Sequence, residues 1–194
     1  MRGVLVCLVL TAGLLMPSAF AMDPTAQDAF FARLSALCGK AFAGRLVTTD
    51  PADKDMMGQI MVMHVRSCTA QEIRIPFHVG PNRSRTWIIT RTASGLRLKH
   101  DHRHEDGSLD KVTLYGGDTA QAGRADRQEF PVDAASITMF KANGLERSVT
   151  NVWALEVTDA PHFAYELRRA NRHFRVEFDL KTPVPAPPAP WGHE

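Results

Sequence analysis

The chain has no excess of charge of either sign. Its 23 Lys and Arg stand against 21 Asp and Glu, and Arg2 is the only charged residue before Asp23. The chain beyond residue 21 is therefore close to neutral, which argues against a nucleic-acid groove or a polybasic membrane surface. The common catalytic loops are missing too: there is no G-x-S-x-G elbow, no G-x-G-x-x-G turn and no P-loop. His104-Glu105 opens like H-E-x-x-H, but Ser108 stands where the second histidine belongs. No internal repeat is visible. After Gly39 no helical pattern recurs between the apolar runs, so a parallel α/β sheet is not expected.

Long apolar runs are absent except at the N-terminus, where Val4 to Leu15 comes after Arg2 and is itself too short to span a bilayer. Pro17 and Ser18 lead into Ala19-Phe20-Ala21, a small-x-small cleavage pattern, so residues 1–21 read as a secretory signal peptide. Cleavage there predicts a secreted or periplasmic protein with no membrane anchor. Cysteine is scarce: Cys7 lies deep in that segment, leaving Cys38 and Cys68. In an exported chain the pair is most simply one disulfide, closing a loop of about thirty residues and stabilising by about 3–4 kcal/mol. Two buried thiols are the alternative.

Asp23-Pro24 reads as a helix start, with Phe30, Phe31, Leu34, Leu37 and Cys38 on one face and Gly39 as the stop. From there the texture is that of strands. Runs rich in Val, Ile, Thr and aromatics are expected at 41–49, 59–69, 72–79, 84–91, 96–104 and 109–115. Further runs lie at 128–132, 136–140, 149–157, 163–169 and 173–180. Turn residues separate them, among them Gly80-Pro81, Ser94-Gly95, Asp106-Gly107 and Asn143-Gly144. The fold class expected is all-β. Residues 22–182 should form a single antiparallel up-and-down β-barrel, or strongly curved sheet, of about ten strands with a short N-terminal helix. A turn at Ala170-Asn171 pairs Leu167 with Phe174, Tyr165 with Val176 and Phe163 with Phe178, placing Glu166 opposite Arg175 on the solvated face. The proline-rich tail, residues 183–194, should be extended or disordered, with Trp191 able to dock it.

One helix followed by a meander of about ten strands resembles the calycin group, the lipocalins and fatty-acid-binding-type barrels. The stretch Leu34 to Leu46 (L-S-A-L-C-G-K-A-F-A-G-R-L) is similar to their passage from helix through glycine into the first strand, with Ala41 or Phe42 near the place of the lipocalin tryptophan. A block like Leu98 to Gly107 also resembles one in uncharacterised bacterial secreted proteins. The calycin resemblance implies a cavity for a small, partly apolar ligand.

Chemically capable side chains concentrate in Leu96 to Gly107 (L-R-L-K-H-D-H-R-H-E-D-G). A three-residue loop at Glu105–Gly107 would set His104 against Ser108, His102 against Asp110 and His100 against Val112, with all three histidines facing inward. Alternate histidines on a strand stand about 6.6 Å apart, within reach of one ion, whereas His100 and His104 are about 13 Å apart. A metal site would need one pair plus a ligand from His78, His64 or Asp110, and would suit a divalent metal such as Zn²⁺ or Cu²⁺, or haem iron. The competing reading is a polar hairpin at the rim of a ligand pocket. Arg85, Trp87 and Arg91 alternate against Thr86, Ile88 and Thr90, and the turn after them leaves open which set faces inward.

The leading expectation is a barrel that binds a small-molecule ligand without catalysis, using His100, His102, Trp87, Arg85 and Tyr115. The first alternative is a metal- or haem-binding protein centred on His100 and His102, with His104, Asp110 and His78 as further ligands. The second is a structural or interaction module with a filled core.

Overall fold

The computed structural model describes residues 25–193. The signal segment, the Asp23-Pro24 helix start and Glu194 lie outside the described residues. Helix α1 (Ala26–Ser35) begins at Thr25, whose hydroxyl accepts the Asp28 amide while the Asp28 carboxylate accepts the Thr25 amide, a reciprocal capping box. Phe30, Phe31 and Leu34 form its buried stripe. The helix ends before Gly39, at φ +80°, and Cys38 is disulfide-bonded to Cys68 with Cα atoms 6.2 Å apart.

Eleven strands come next: β1 (Ala41–Leu46), β2 (Met61–His64), β3 (Ser67–Cys68), β4 (Glu72–Val79), β5 (Asn82–Thr92), β6 (Gly95–His102), β7 (Tyr115–Asp118), β8 (Arg127–Pro131), β9 (Val152–Thr158), β10 (His162–Arg169) and β11 (Arg172–Val184). Ten run in the order β7-β6-β5-β4-β2-β1-β11-β10-β9-β8, all antiparallel, and β3 pairs with β4 alone. The sheet curls until its two edges meet, a nearly closed barrel. The seam between β7 and β8 is not a ladder. The Asp133 amide donates to the Gly116 carbonyl (2.9 Å), and the Gly116 amide donates to Ser136 Oγ (2.8 Å). The backbones come so close that a Cβ at Gly117 would run into the Pro131 carbonyl.

Inside, one parity of each strand supplies the core. Phe77, Trp87 and Tyr165 stack at 4.7 and 4.5 Å between centroids, Phe163 stacks on Trp87 at 6.0 Å, and Phe178 stands edge-on to Phe77, Trp87 and Phe163. The two ends of the barrel differ. Helix α1 lies across one, where Gln27 donates to Thr119 Oγ1 and the Gln121 carbonyl, Arg33 pairs with Asp159, and Arg91 sits 4.2 Å over the Phe31 ring. The other end carries the long links. Residues 47–60 hold a 3₁₀ turn, Pro51–Met56, tied down by Asp53 to Arg172 (2.5 and 2.7 Å). Residues 132–151 hold helix α2 (Ala134–Ala142).

The last hairpin has the expected register, with Leu167–Phe174, Tyr165–Val176, Phe163–Phe178 and Glu166–Arg175 opposed. Three expectations need correction. Residues 136–140 are not a strand but the body of α2, started by the Asp133 carboxylate accepting the Ser136 amide. Residues 109–115 are a loop: Asp110 caps the Val112 amide, Leu114 sits at φ +55°, and the partner strand begins only at Tyr115. In consequence His100 faces Tyr115 rather than Val112, although His104 and Ser108 do close the Glu105–Gly107 loop, the His104 amide donating to the Ser108 carbonyl at 2.9 Å.

The tail is extended and docked. After β11 it crosses the outer face of β4, β5 and β6. Arg83 donates to the Ala189 carbonyl (2.7 Å), Arg66 to the His193 carbonyl (2.7 Å), and the Trp191 amide to the Arg83 carbonyl (3.2 Å). His193 Nε2 ends 2.8 Å from the Asp101 carboxylate, which is only 3% exposed.

Candidate functional site

Register brings the site together. On β5 and β6, Arg85 stands opposite His102 and Trp87 opposite His100, and on β7 Tyr115 stands opposite His100. Arg85 and Trp87 therefore share the interior parity of β5, which the sequence leaves undecided, and Thr86, 4% exposed, lies on the outer face with Asp101. Tyr165 reaches the same place from β10, across the barrel. These six side chains line a cavity of about 230 Å³ at the end not covered by α1. Met56, Phe77, Leu167 and Phe174 supply its apolar walls, and the Asp53–Arg172 pair its rim. A second cleft of about 250 Å³, reaching Asp110, Phe140, Trp153 and Arg169, lies beyond His102, Tyr115, Tyr165 and Leu167, which belong to both.

The hydrogen bonds assign protons. The Tyr115 carbonyl, 3.2 Å from His100 Nδ1, can only accept, so Nδ1 carries the proton. His100 Nε2 is then an acceptor, and the Tyr165 hydroxyl donates to it at 2.8 Å. The imidazole also stacks on the Tyr115 ring, with centroids 4.7 Å apart. His102 Nε2 lies 3.0 Å from the Tyr115 hydroxyl. Burial pushes His100 down to about 3 from 6.5, and burial together with the charge of Arg85 pushes His102 down to about 4. Burial raises both Tyr115 and Tyr165 above the usual phenol range. At neutral pH all four groups are uncharged.

Arg85 is the exception. Burial lowers its pKa, yet a guanidinium keeps its proton at any ordinary pH. Among the described residues its side chain makes one hydrogen bond, to Asn82 Oδ1 (3.0 Å), and pairs with no carboxylate. Arg172, the other cation that lines the cavity, is paired with Asp53 and Asp50.

The residues considered for a metal are not gathered. His104 is exposed on the hairpin loop, while His78 lies on the outer parity of β4, buried at 4% exposure. Asp110 approaches His102 but spends an oxygen on the Val112 amide, and both ring nitrogens of His100 are engaged. Among the described residues, no three of His, Cys, Asp and Glu are placed to hold one ion. The sequence does not single out Tyr165, Phe174, Met56 or the Asp53–Arg172 pair as contributors. The hairpin register turns Tyr165 inward, but its contact with His100 spans the barrel and leaves no local signal.

The fold and the cavity together define an antiparallel barrel with one plugged end and one aromatic mouth that holds Arg85. Compared with protein-family models, curated proteins and solved structures, the chain matches none.

Proposed function

We propose that this protein is a secreted or periplasmic small-molecule binder without catalytic activity, built on a calycin-like plan, with the ligand held in the cavity at the open end of the barrel. The observation that carries the reading is the convergence of Arg85, Trp87, His100, His102 and Tyr115 from three adjacent strands on one cavity. Pockets of this kind combine apolar walls with a few fixed polar groups, and ordinarily hold drug-sized molecules at about 300–1,000 Å³. Here the interior below the mouth is filled by stacked aromatic rings, so the ligand is smaller. The disulfide between Cys38 and Cys68 supports an oxidising compartment.

The test is a fragment set of varied charge and shape, screened by thermal melting and by the fluorescence of the tryptophans, Trp87 among them. A ligand at a hundred times its Kd stabilises by about 2.7 kcal/mol, a readily visible shift. Leu167→Trp, which fills the cavity, should abolish that shift while leaving the protein folded. If no compound alters the melt, or if binding survives the filled cavity, this function is lost.

A further inference from the structure

One of the cations that line the cavity has no carboxylate partner. Asp53 holds Arg172 in a two-point ion pair, with Asp50 also 3.2 Å from it, and the histidines and tyrosines that line the cavity are hydrogen-bonded to one another as neutral groups. Among the described residues that line the cavity, that leaves the Arg85 guanidinium as the cation without a carboxylate partner, against apolar walls. Its side chain has, among the described residues, one hydrogen bond, to Asn82 Oδ1, an oxygen that also accepts the Ser84 amide (3.0 Å) and hydroxyl (2.6 Å). A guanidinium has five donors, and a fork of them suits a carboxylate. Taking a lone cation out of water is costly, and nothing else about this position requires one: Phe77, opposite Arg85 on β4, is apolar.

From this we infer that the ligand is a small monoanion with a short apolar body, a monocarboxylate in the first instance, whose charged end sits on Arg85. The inference rests on the cavity being a ligand site. Among the described residues that line the cavity, a second negative charge on the ligand would meet only Arg172, already held by Asp53 and Asp50, and a cationic ligand would meet Arg85 itself. The cavity volume of about 230 Å³ limits the apolar body to one ring or a short chain.

Matched triplets separate this inference from the general reading. Benzoate, benzamide and benzylamine form one set; hexanoate, hexanamide and hexylamine form another. Each is titrated calorimetrically at pH 7 against the wild-type protein, Arg85→Met and Arg85→Lys. The expected result is that a carboxylate binds at least tenfold tighter than its amide, and that the amine does not bind. Arg85→Met should erase the preference by weakening the carboxylate to the level of its amide, and Arg85→Lys should keep part of it. Removing an unpaired half-buried cation should also leave the Met variant with a melting temperature no lower than wild type, which shows that it is folded. Equal binding of carboxylate and amide, or a carboxylate preference that survives Arg85→Met, overturns the inference and leaves the cavity a binding site. Failure of every probe and of the fragment set overturns both.

Discussion

Tyr165 donates its hydroxyl proton to His100 across the barrel, 2.8 Å from oxygen to Nε2. The bond lies in the core, with His100 2% exposed and Tyr165 7% exposed. Removing the donor leaves a buried acceptor unpaired, which costs about 1–3 kcal/mol, whereas replacing both partners by apolar groups is closer to neutral. Tyr165→Phe should therefore destabilise by that amount, and the Tyr165→Phe/His100→Phe double variant by less than the two single losses combined. Urea melts of the four proteins give the coupling; strict additivity would mean the bond contributes nothing.

Acid should weaken the fold well above the carboxylate range. Burial lowers His100 to about 3, and His78 and His102 to about 4, against 6.5 in the unfolded chain. Between pH 6.5 and about 4 the unfolded state binds protons that the folded state refuses. Stability is full above 6.5 and falls as pH drops through that window, by up to about 1.4 kcal/mol per pH unit for each histidine. Replacing His78 with Leu should flatten the slope by one such share. Chemical denaturation at pH 7, 6 and 5 measures it, and a flat profile would contradict the burial of these rings.

The seam between β7 and β8 depends on backbones that no side chain separates. Gly117→Ala pushes a methyl group into the Pro131 carbonyl. A loss of about 1–3 kcal/mol is expected, together with faster hydrogen exchange at the Asp133 amide, which donates to Gly116. Wild-type protection at Asp133 in the variant would show that the seam tolerates separation.

Truncation after Val184 removes the strap that ends against Asp101. Asp101 would lose His193 and keep Arg103, 3.1 Å away. The expected cost is on the order of 1–3 kcal/mol, with proteolysis and hydrogen exchange concentrated in residues 101–108. An unchanged exchange pattern there would mean the docked tail is not holding the hairpin.

Reduction of the Cys38–Cys68 bond, 30 residues apart, should lower stability by about 3–4 kcal/mol without unfolding the barrel at room temperature. A Cys38→Ala/Cys68→Ala variant should match the reduced protein in denaturant titrations. A reduced protein as stable as the oxidised one would contradict this.

Local periodicity makes part of this fold legible in the sequence. The β10–β11 hairpin can be read down to its cross-strand pairs, since alternation and a two-residue turn define a register without outside help. Helix α2 escapes such a reading because Ser136-Ile137-Thr138 looks like strand material. The signal that outweighs it is short: Asp133 as a cap, two alanines, and Gly144 beyond the end. The β6–β7 register departs from expectation for a different reason. Lys111 to Leu114 loops out, and a residue such as Leu114 at positive φ gives no warning in composition. That slip is what carries Tyr115 to His100. One side of the candidate site is legible nearly complete, because Arg85, Trp87, His100 and His102 lie on neighbouring strands. Its far side, Tyr165 with Phe174, belongs to the last hairpin, and Tyr165 stands 65 residues beyond His100 in the chain. Closure of the sheet brings them together, and closure leaves no trace in any short window.

The pairing of β1 with β11 has a consequence for how the molecule is made. Its first strand must wait for its last. As the chain emerges from the ribosome or a translocation pore, β2, β4, β5 and β6 can zip together one hairpin at a time, but one edge of β1 stays unpaired until residue 184 has arrived. During that interval the nascent sheet presents a free edge with apolar residues behind it, the situation in which chains associate with one another. Whatever guards this protein in the cell is needed most during synthesis, and least once the final strand has closed the ring.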